Sequence, residues 1–160
     1  LRTVSDQFGS LFSMNRSAES LGFRLLEIAV PQFDHFEGAE PPQPNLAIGA
    51  KLDWQADPRD NTVTAELRVE YTSDGHRLLF FTMACTFELE AIAWDEVCDR
   101  QNGTITFPRA FLMQLGSITI GTARGVLYER TCRPSKACYL LPLLDVDRLV
   151  ADEVQIAGDF

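Results

Sequence analysis

NLAIGAKLDWQADPRDNTVTAELRVEYTSDGHRLLFFTMACTFELE, residues 45–90, carries the clearest pattern in the chain. Leu46, Ile48, Ala50, Leu52 and Trp54 alternate with Asn45, Ala47, Gly49, Lys51 and Asp53, and Val63, Ala65, Leu67, Val69 and Tyr71 alternate with Thr64, Glu66, Arg68 and Glu70. Side chains of a strand point to opposite faces in turn, so this period of two predicts strands with one apolar face. Between them DPRDN marks one turn and Ser73-Asp74-Gly75 another, the Asp-Gly pair being a strong hairpin signal. From Arg77 to Glu90 a third strand sets Leu79, Phe81, Met83, Cys85, Phe87 and Leu89 on one face and Leu78, Phe80, Thr82, Ala84, Thr86 and Glu88 on the other. Each strand runs about ten residues or more, against a typical five or six. The expectation is an antiparallel meander whose apolar face needs a cover. Leu78 and Phe80 make part of the opposite face apolar, which points to a contact between subunits.

Before the meander, FRLLEIAVPQFDHF (residues 23–36) reads as a strand broken in its alternation, with Pro31 removing one ladder donor. Such a strand belongs at a sheet edge or carries a bulge. EGAEPPQP, residues 37–44, then forms an extended, proline-held crossover. The cover comes from residues 107–128, FPRAFLMQLGSITIGTARGVLY, which read as one helix opened by Pro108. Phe111, Leu115, Ile118 and Thr122 share one face, while Ser117, Gly121 and Gly125 recur four apart on another. A helix-interior glycine costs about 1 kcal/mol against alanine, so two on one stripe imply that another backbone approaches closely. That backbone belongs either to the chain's own sheet or to a helix of a second subunit.

With 160 residues and 46% apolar content, the chain is expected to form a single α+β domain over 1–160, a four-stranded antiparallel sheet with helices packed on one face. Residues 1–20 are Ser-rich, yet Val4, Phe8, Leu11 and Phe12 have helical spacing and predict a short docked helix or an ordered arm. At the other end a short helix is expected over residues 145–153, capped by Asp145 or Asp147, before a tail.

Acids outnumber bases 23 to 14, a net charge of −9, and the bases are scattered. Nucleic acid and anionic membranes are therefore poor partners, since both need clustered cations. No apolar run approaches the roughly 18 residues of a membrane span. Catalytic signatures are also missing from the sequence. His35 and His76 are the two histidines, no metal-ligand spacing occurs, and no phosphate loop or nucleophile elbow is present. No catalytic residue, metal or cofactor is expected. Cys85, Cys98, Cys132 and Cys138 show no CxxC spacing and read as reduced thiols of a cytoplasmic protein, although Cys132 and Cys138 flank one polar loop and could meet.

The order of these elements resembles the SecB export-chaperone family over most of the chain. The resemblance rests on Phe107-Pro108, Arg124-Gly125, and Pro142 ahead of Asp147 and Leu149, placed after a proline-rich crossover and a long meander. It implies a homotetramer, a dimer of dimers, that holds unfolded polypeptides or preproteins without nucleotide and passes some of them to the SecA motor, or that guards an antitoxin. It also implies an acidic SecA contact near Asp34 or Glu37, while a second acidic position of the family aligns with Phe80 and Phe81. On this reading Phe33, Phe36, Leu46, Phe87, Phe111 and Met113 gather as a peptide groove around the crossover and the helix start. Leu78, Phe80, Ser117, Gly121 and Gly125 supply the subunit contacts. A small-molecule or lipid carrier, with a pocket enclosed by helix and sheet, is the alternative class.

Overall fold

Asp74 and Gly75 both adopt left-handed backbone, with φ of 48° and 81°, as the two-residue turn that links right-twisted strands requires. They join two of the four long strands of a computed structural model that describes residues 21–36, 45–132, 138–150 and 154–157. Its elements are strand β1 (Phe23–His35), β2 (Leu46–Asp57), β3 (Thr62–Ser73), β4 (His76–Leu89), helix α1 (Ala91–Val97), β5 (Cys98–Asp99), β6 (Thr104–Phe107), α2 (Arg109–Thr131), α3 (Val146–Leu149) and β7 (Val154–Ala157). The N-terminal arm, the crossover over residues 37–44 with Glu37, and the final tail lie outside the described residues.

The main sheet has the order β1-β4-β3-β2 and is antiparallel throughout. Its strands hold 12 to 14 residues each, which agrees with the length read from the alternation. β1 pairs with β4 although β2 and β3 intervene in the chain, and it forms an edge. Its register slips between Leu25 and Glu27 and again between Ala29 and Gln32, the second slip falling at Pro31. A proline cannot donate to a ladder, so the break sits where the missing N–H demands it.

One face of the sheet is the core. Val63, Ala65, Leu67, Val69 and Tyr71 from β3 and Leu79, Phe81, Met83, Cys85, Phe87 and Leu89 from β4 are buried there. Helix α2 lies across β3 and β4 and sends Phe111, Leu112, Leu115, Thr119, Ile120, Ala123 and Leu127 into that core. Pro108 precedes the helix as its cap residue, and Phe107 belongs to β6. At one end of the sheet the aromatic rings form a chain. Phe23 meets both Phe87 and Phe111 edge-on at 5.7 Å, and Phe107 stacks on Phe111 and meets Trp94 edge-on.

Four expectations are corrected. Leu78, assigned by alternation to the open face, is only 8% exposed and joins the core. A register shift places Thr72 opposite Arg77 and Tyr71 opposite Leu79, so Leu78 is the extra residue of a bulge and leaves the alternation. Phe80 keeps its place on the open face, half-buried under the Arg77 guanidinium, 5.1 Å from the ring centre. The second correction concerns the C-terminal region. α3 covers only Val146–Leu149 of the helix expected over residues 145–153, with the Asp145 carboxylate accepting from the Asp147 N–H, and residues 154–157, expected as tail, form a strand. They extend β5 and β6 into a three-stranded sheet in which Ile156 lies opposite Ile105. Third, Cys132 and Cys138 are not reduced. The chain turns back after α2 with their Cα atoms 4.4 Å apart, within disulfide range, and the sulfurs are bonded. Cys85 and Cys98 remain free thiols. The fourth correction concerns the peptide groove and follows below.

Candidate functional site: an apolar trough beside an edge strand

The six residues expected to form one groove do not meet. Phe87 and Phe111 are buried inside the aromatic chain and present no surface. In the β4 register Phe33 lies opposite Phe81, six residues and therefore about 20 Å of strand from Phe87. Phe36 and Leu46 are exposed, but they sit on opposite edges of the sheet, with β4 and β3 between them. Met113 is two residues from Phe111 and so points about 200° away around the helix. There it receives a hydrogen bond from Arg109 Nη1, whose guanidinium also binds Asp147. The alternation and helical period identified apolar residues correctly, but not the element that covers them.

A different apolar surface replaces that groove. Leu25 lies opposite Phe87 and Ile28 opposite Cys85, so both belong to the core face by register. Yet they are 41% and 48% exposed, because α2 packs chiefly on β3 and β4 and reaches the core side of β1 near its two ends, with Phe111 on Phe23 and Arg130 on Phe33. On α2, Ile118 and Thr122 lie seven and eleven residues after Phe111 and hence on the same side of the helix as the residue that touches Phe23, and the Thr122 hydroxyl bonds Cys85, the register partner of Ile28. Ile118 and Thr122 are half-buried. Leu25, Ile28 and Phe33 thus form one wall of a trough, and Ile118 and Thr122 the other. The Phe23–Phe111 pair closes one end. Arg130 closes the other, its guanidinium 5.0 Å from the centre of the Phe33 ring.

The trough has no reactive group. Cys85 in its floor is fully buried, and burial pushes its thiol above the ordinary range although the Thr119 and Thr122 hydroxyls pull it back. Cys98, outside the trough, is likewise held up by burial first, with the Arg100 charge opposing. A thiol held protonated is a poor nucleophile. Among the described residues no group of His, Cys, Asp and Glu is placed to hold a metal ion. On its outer side β1 pairs with no other strand among the described residues, so its N–H and C=O groups face outward beside the apolar wall. That combination can take an extended chain, with main-chain pairing along the edge and side chains in the trough.

Three further features bear on the expected sites. Gly121 and Gly125 face away from the sheet, and a methyl group built on either would meet nothing within 4 Å among the described residues. Their stripe therefore does not pack on the chain's own sheet. By contrast Gly116 does, with Leu52 only 3.1 Å from such a methyl. Asp34 is half-buried, and its carboxylate accepts from Gln32 Nε2 at 2.5 Å. Finally, a pocket of about 470 Å3, lined by Leu52, Asp53, Trp54, Leu149, Val154, Gln155 and Ile156, opens at the β2 edge. It is not enclosed between helix and sheet as a carrier of the expected kind would need. Asp53 in its wall is paired with Lys51 and Arg68. No helix among the described residues is long and apolar enough to cross a membrane.

No family model and no curated protein matches this chain. A solved structure does, that of the Mycobacterium tuberculosis Rv1957 SecB-like chaperone in complex with a ChAD peptide from the Rv1956 HigA1 antitoxin. The match has a TM-score of 0.50 at 12% identity and covers 77% of this chain and 88% of that one. The fold is SecB-like. At that identity the likeness is one of fold alone. A protein of unknown function from Streptococcus agalactiae also matches, at 10% identity over 78% of this chain and 99% of that one, with a TM-score of 0.40.

Proposed function

We propose that this chain is an ATP-independent holding chaperone that takes unfolded polypeptide segments into the trough between β1 and α2. One observation carries the reading: in a SecB-like fold, Leu25 and Ile28 stay half exposed on the core side of an edge strand whose outer side pairs with no other strand among the described residues. Apolar side chains left in water next to free backbone donors and acceptors gain on docking an extended chain, through lost apolar exposure and through ladder hydrogen bonds together. A client is held passively, without catalysis or cofactor, and in the cytoplasm. Its release follows from the client's own folding, which withdraws apolar side chains from the trough.

Assembly belongs to the same proposal. Two outward glycines that no described residue of their own chain approaches support a helix-to-helix contact along Ser117, Gly121 and Gly125, and a tetramer built through it with Phe80 on the second contact surface. Hand-over to SecA runs through Asp34 in this scheme, and Asp34→Asn is expected to weaken SecA binding while client holding is kept. Native mass spectra of the protein with a reduced, carboxymethylated polypeptide test the holding function. Capture of the unfolded chain but not of its folded form is the expected result, and a protein that captures neither refutes it.

A second reading is a chaperone dedicated to one short segment, favoured by the antitoxin peptide bound in the Rv1957 structure. Competition separates the two. A generic holder exchanges one unfolded chain for another at comparable concentrations, whereas a dedicated one ignores a large excess of the generic competitor.

A further inference from the structure

Immediately after α2 the chain is clasped back on itself by the Cys132–Cys138 disulfide. The four residues that follow, 139–142, form a strap over one end of the sheet. Tyr139 is buried between Tyr71 of β3, ring centres 4.9 Å apart, and His35 of β1, at 5.6 Å. Both neighbours lie opposite Leu79 in their registers, so the Tyr139 ring straddles β1, β4 and β3. Its N–H donates to Thr131 Oγ1 at 3.2 Å, and that hydroxyl donates to the Leu127 carbonyl. Further along, Tyr71 Oη donates to the Leu140 carbonyl, and the Arg124 guanidinium donates to those of Leu141 and Pro142.

These anchors differ in kind. The hydrogen bonds are individually weak and exchangeable with water, and only the disulfide is covalent. Beneath the strap lie Tyr71, Leu79 and His35, and next to them Phe33, which forms the end of the trough under Arg130. Lifting the strap therefore extends the trough past Phe33 along the end of the sheet. Cys132 and Cys138 are half-buried and not enclosed in the core.

We propose that the Cys132–Cys138 disulfide is a reducible clasp, and that its reduction by a dithiol releases the strap over residues 139–142 from the sheet end. A thiolate of the dithiol attacks one sulfur and the S–S bond breaks. The electron pair leaves on the other cysteine sulfur, which takes a proton. The reductant's second thiol then displaces the mixed disulfide. Two electrons and two protons pass to the cysteine pair, and the dithiol becomes a cyclic disulfide. Closing a ring across a sequence separation of six restricts the open strap by an entropy equivalent to about 40-fold in its open-to-closed ratio. As a consequence that rests on the trough reading, the reduced form offers clients the longer surface.

Hydrogen exchange read by mass spectrometry, with no client present, tests the clasp. Oxidised protein, dithiothreitol-treated protein and a Cys132→Ser/Cys138→Ser variant are compared. Peptides covering residues 138–142 should exchange about 40-fold faster in the reduced and variant forms, with β3 and β4 unchanged. Unchanged exchange in the strap overturns the proposal, and so does equal acceleration across β3 and β4, which marks the bond as a general staple. Titration of both redox states with an unfolded polypeptide then addresses the other reading separately. An opened strap with no gain in affinity removes the sheet end from the binding surface and leaves the clasp standing.

Discussion

Replacing Leu25 and Ile28 together by serine tests the trough most directly. Leu25 is 41% exposed and Ile28 48%, so a docked client can remove from water a little under half of each side chain. Burying a whole Leu or Ile contributes about 1.5–3 kcal/mol, which makes the remaining half worth about 1 kcal/mol per site. The pair then contributes about 2 kcal/mol, or roughly a 30-fold rise in Kd for an unfolded client. The part of each side chain already buried is lost too, so folding stability should fall by about 1 kcal/mol per site, well short of unfolding a domain with this core. Fluorescence anisotropy with a labelled, carboxymethylated polypeptide measures the first effect, and chemical denaturation the second. Leu143→Ser serves as the control. Leu143 is 90% exposed but follows Pro142, whose carbonyl binds Arg124 on the side of α2 turned away from β1. A Kd within three-fold of wild type for the double variant, with an unchanged circular dichroism spectrum, would refute the trough as the binding surface.

Other consequences follow from single contacts. Gly121→Ala/Gly125→Ala should stabilise an isolated subunit by about 1 kcal/mol per site, because no described residue of the chain crowds either position, and should loosen any assembly that uses the stripe. Thermal unfolding beside native mass spectra reads both effects. Thr131→Val removes the acceptor of the buried Tyr139 N–H and should cost about 1–3 kcal/mol in denaturant titration, accompanied by faster exchange at Tyr139. Tyr71 is held above the ordinary tyrosine range by burial first and by its closeness to Tyr139 second. Its protonated form is therefore favoured by the fold, and its contribution is complete below about pH 10 and lost as pH rises through the folded value. Denaturation followed from pH 8 upward should show stability level to about pH 10 and falling above it, with Tyr71→Phe flattening the decline.

The strands of the meander, the Asp74-Gly75 turn, the edge position of β1 and the helix that opens after Pro108 were all legible in the sequence. Each is written in local signals: side-chain alternation, a turn that demands left-handed backbone, a proline that removes one donor. Little of the candidate site was legible in the same way. Leu25 and Ile28 look like any other core-facing residues of a strand, and Phe87 and Phe111 look like good groove residues. What separates them is where α2 lies, chiefly over β3 and β4 and over the ends of β1. Alternation records the direction of a side chain, and exposure depends on whether another element stands in that direction. Leu78 shows the same limit at a single residue, since one extra position in a ladder reverses its face without a local signal. The disulfide and β7 were decided later still, by chain reversals that bring Cys132 to Cys138 and Ile156 to Ile105. Local chemistry set the strands and their turns, and the packing of distant segments decided which apolar surface stayed open.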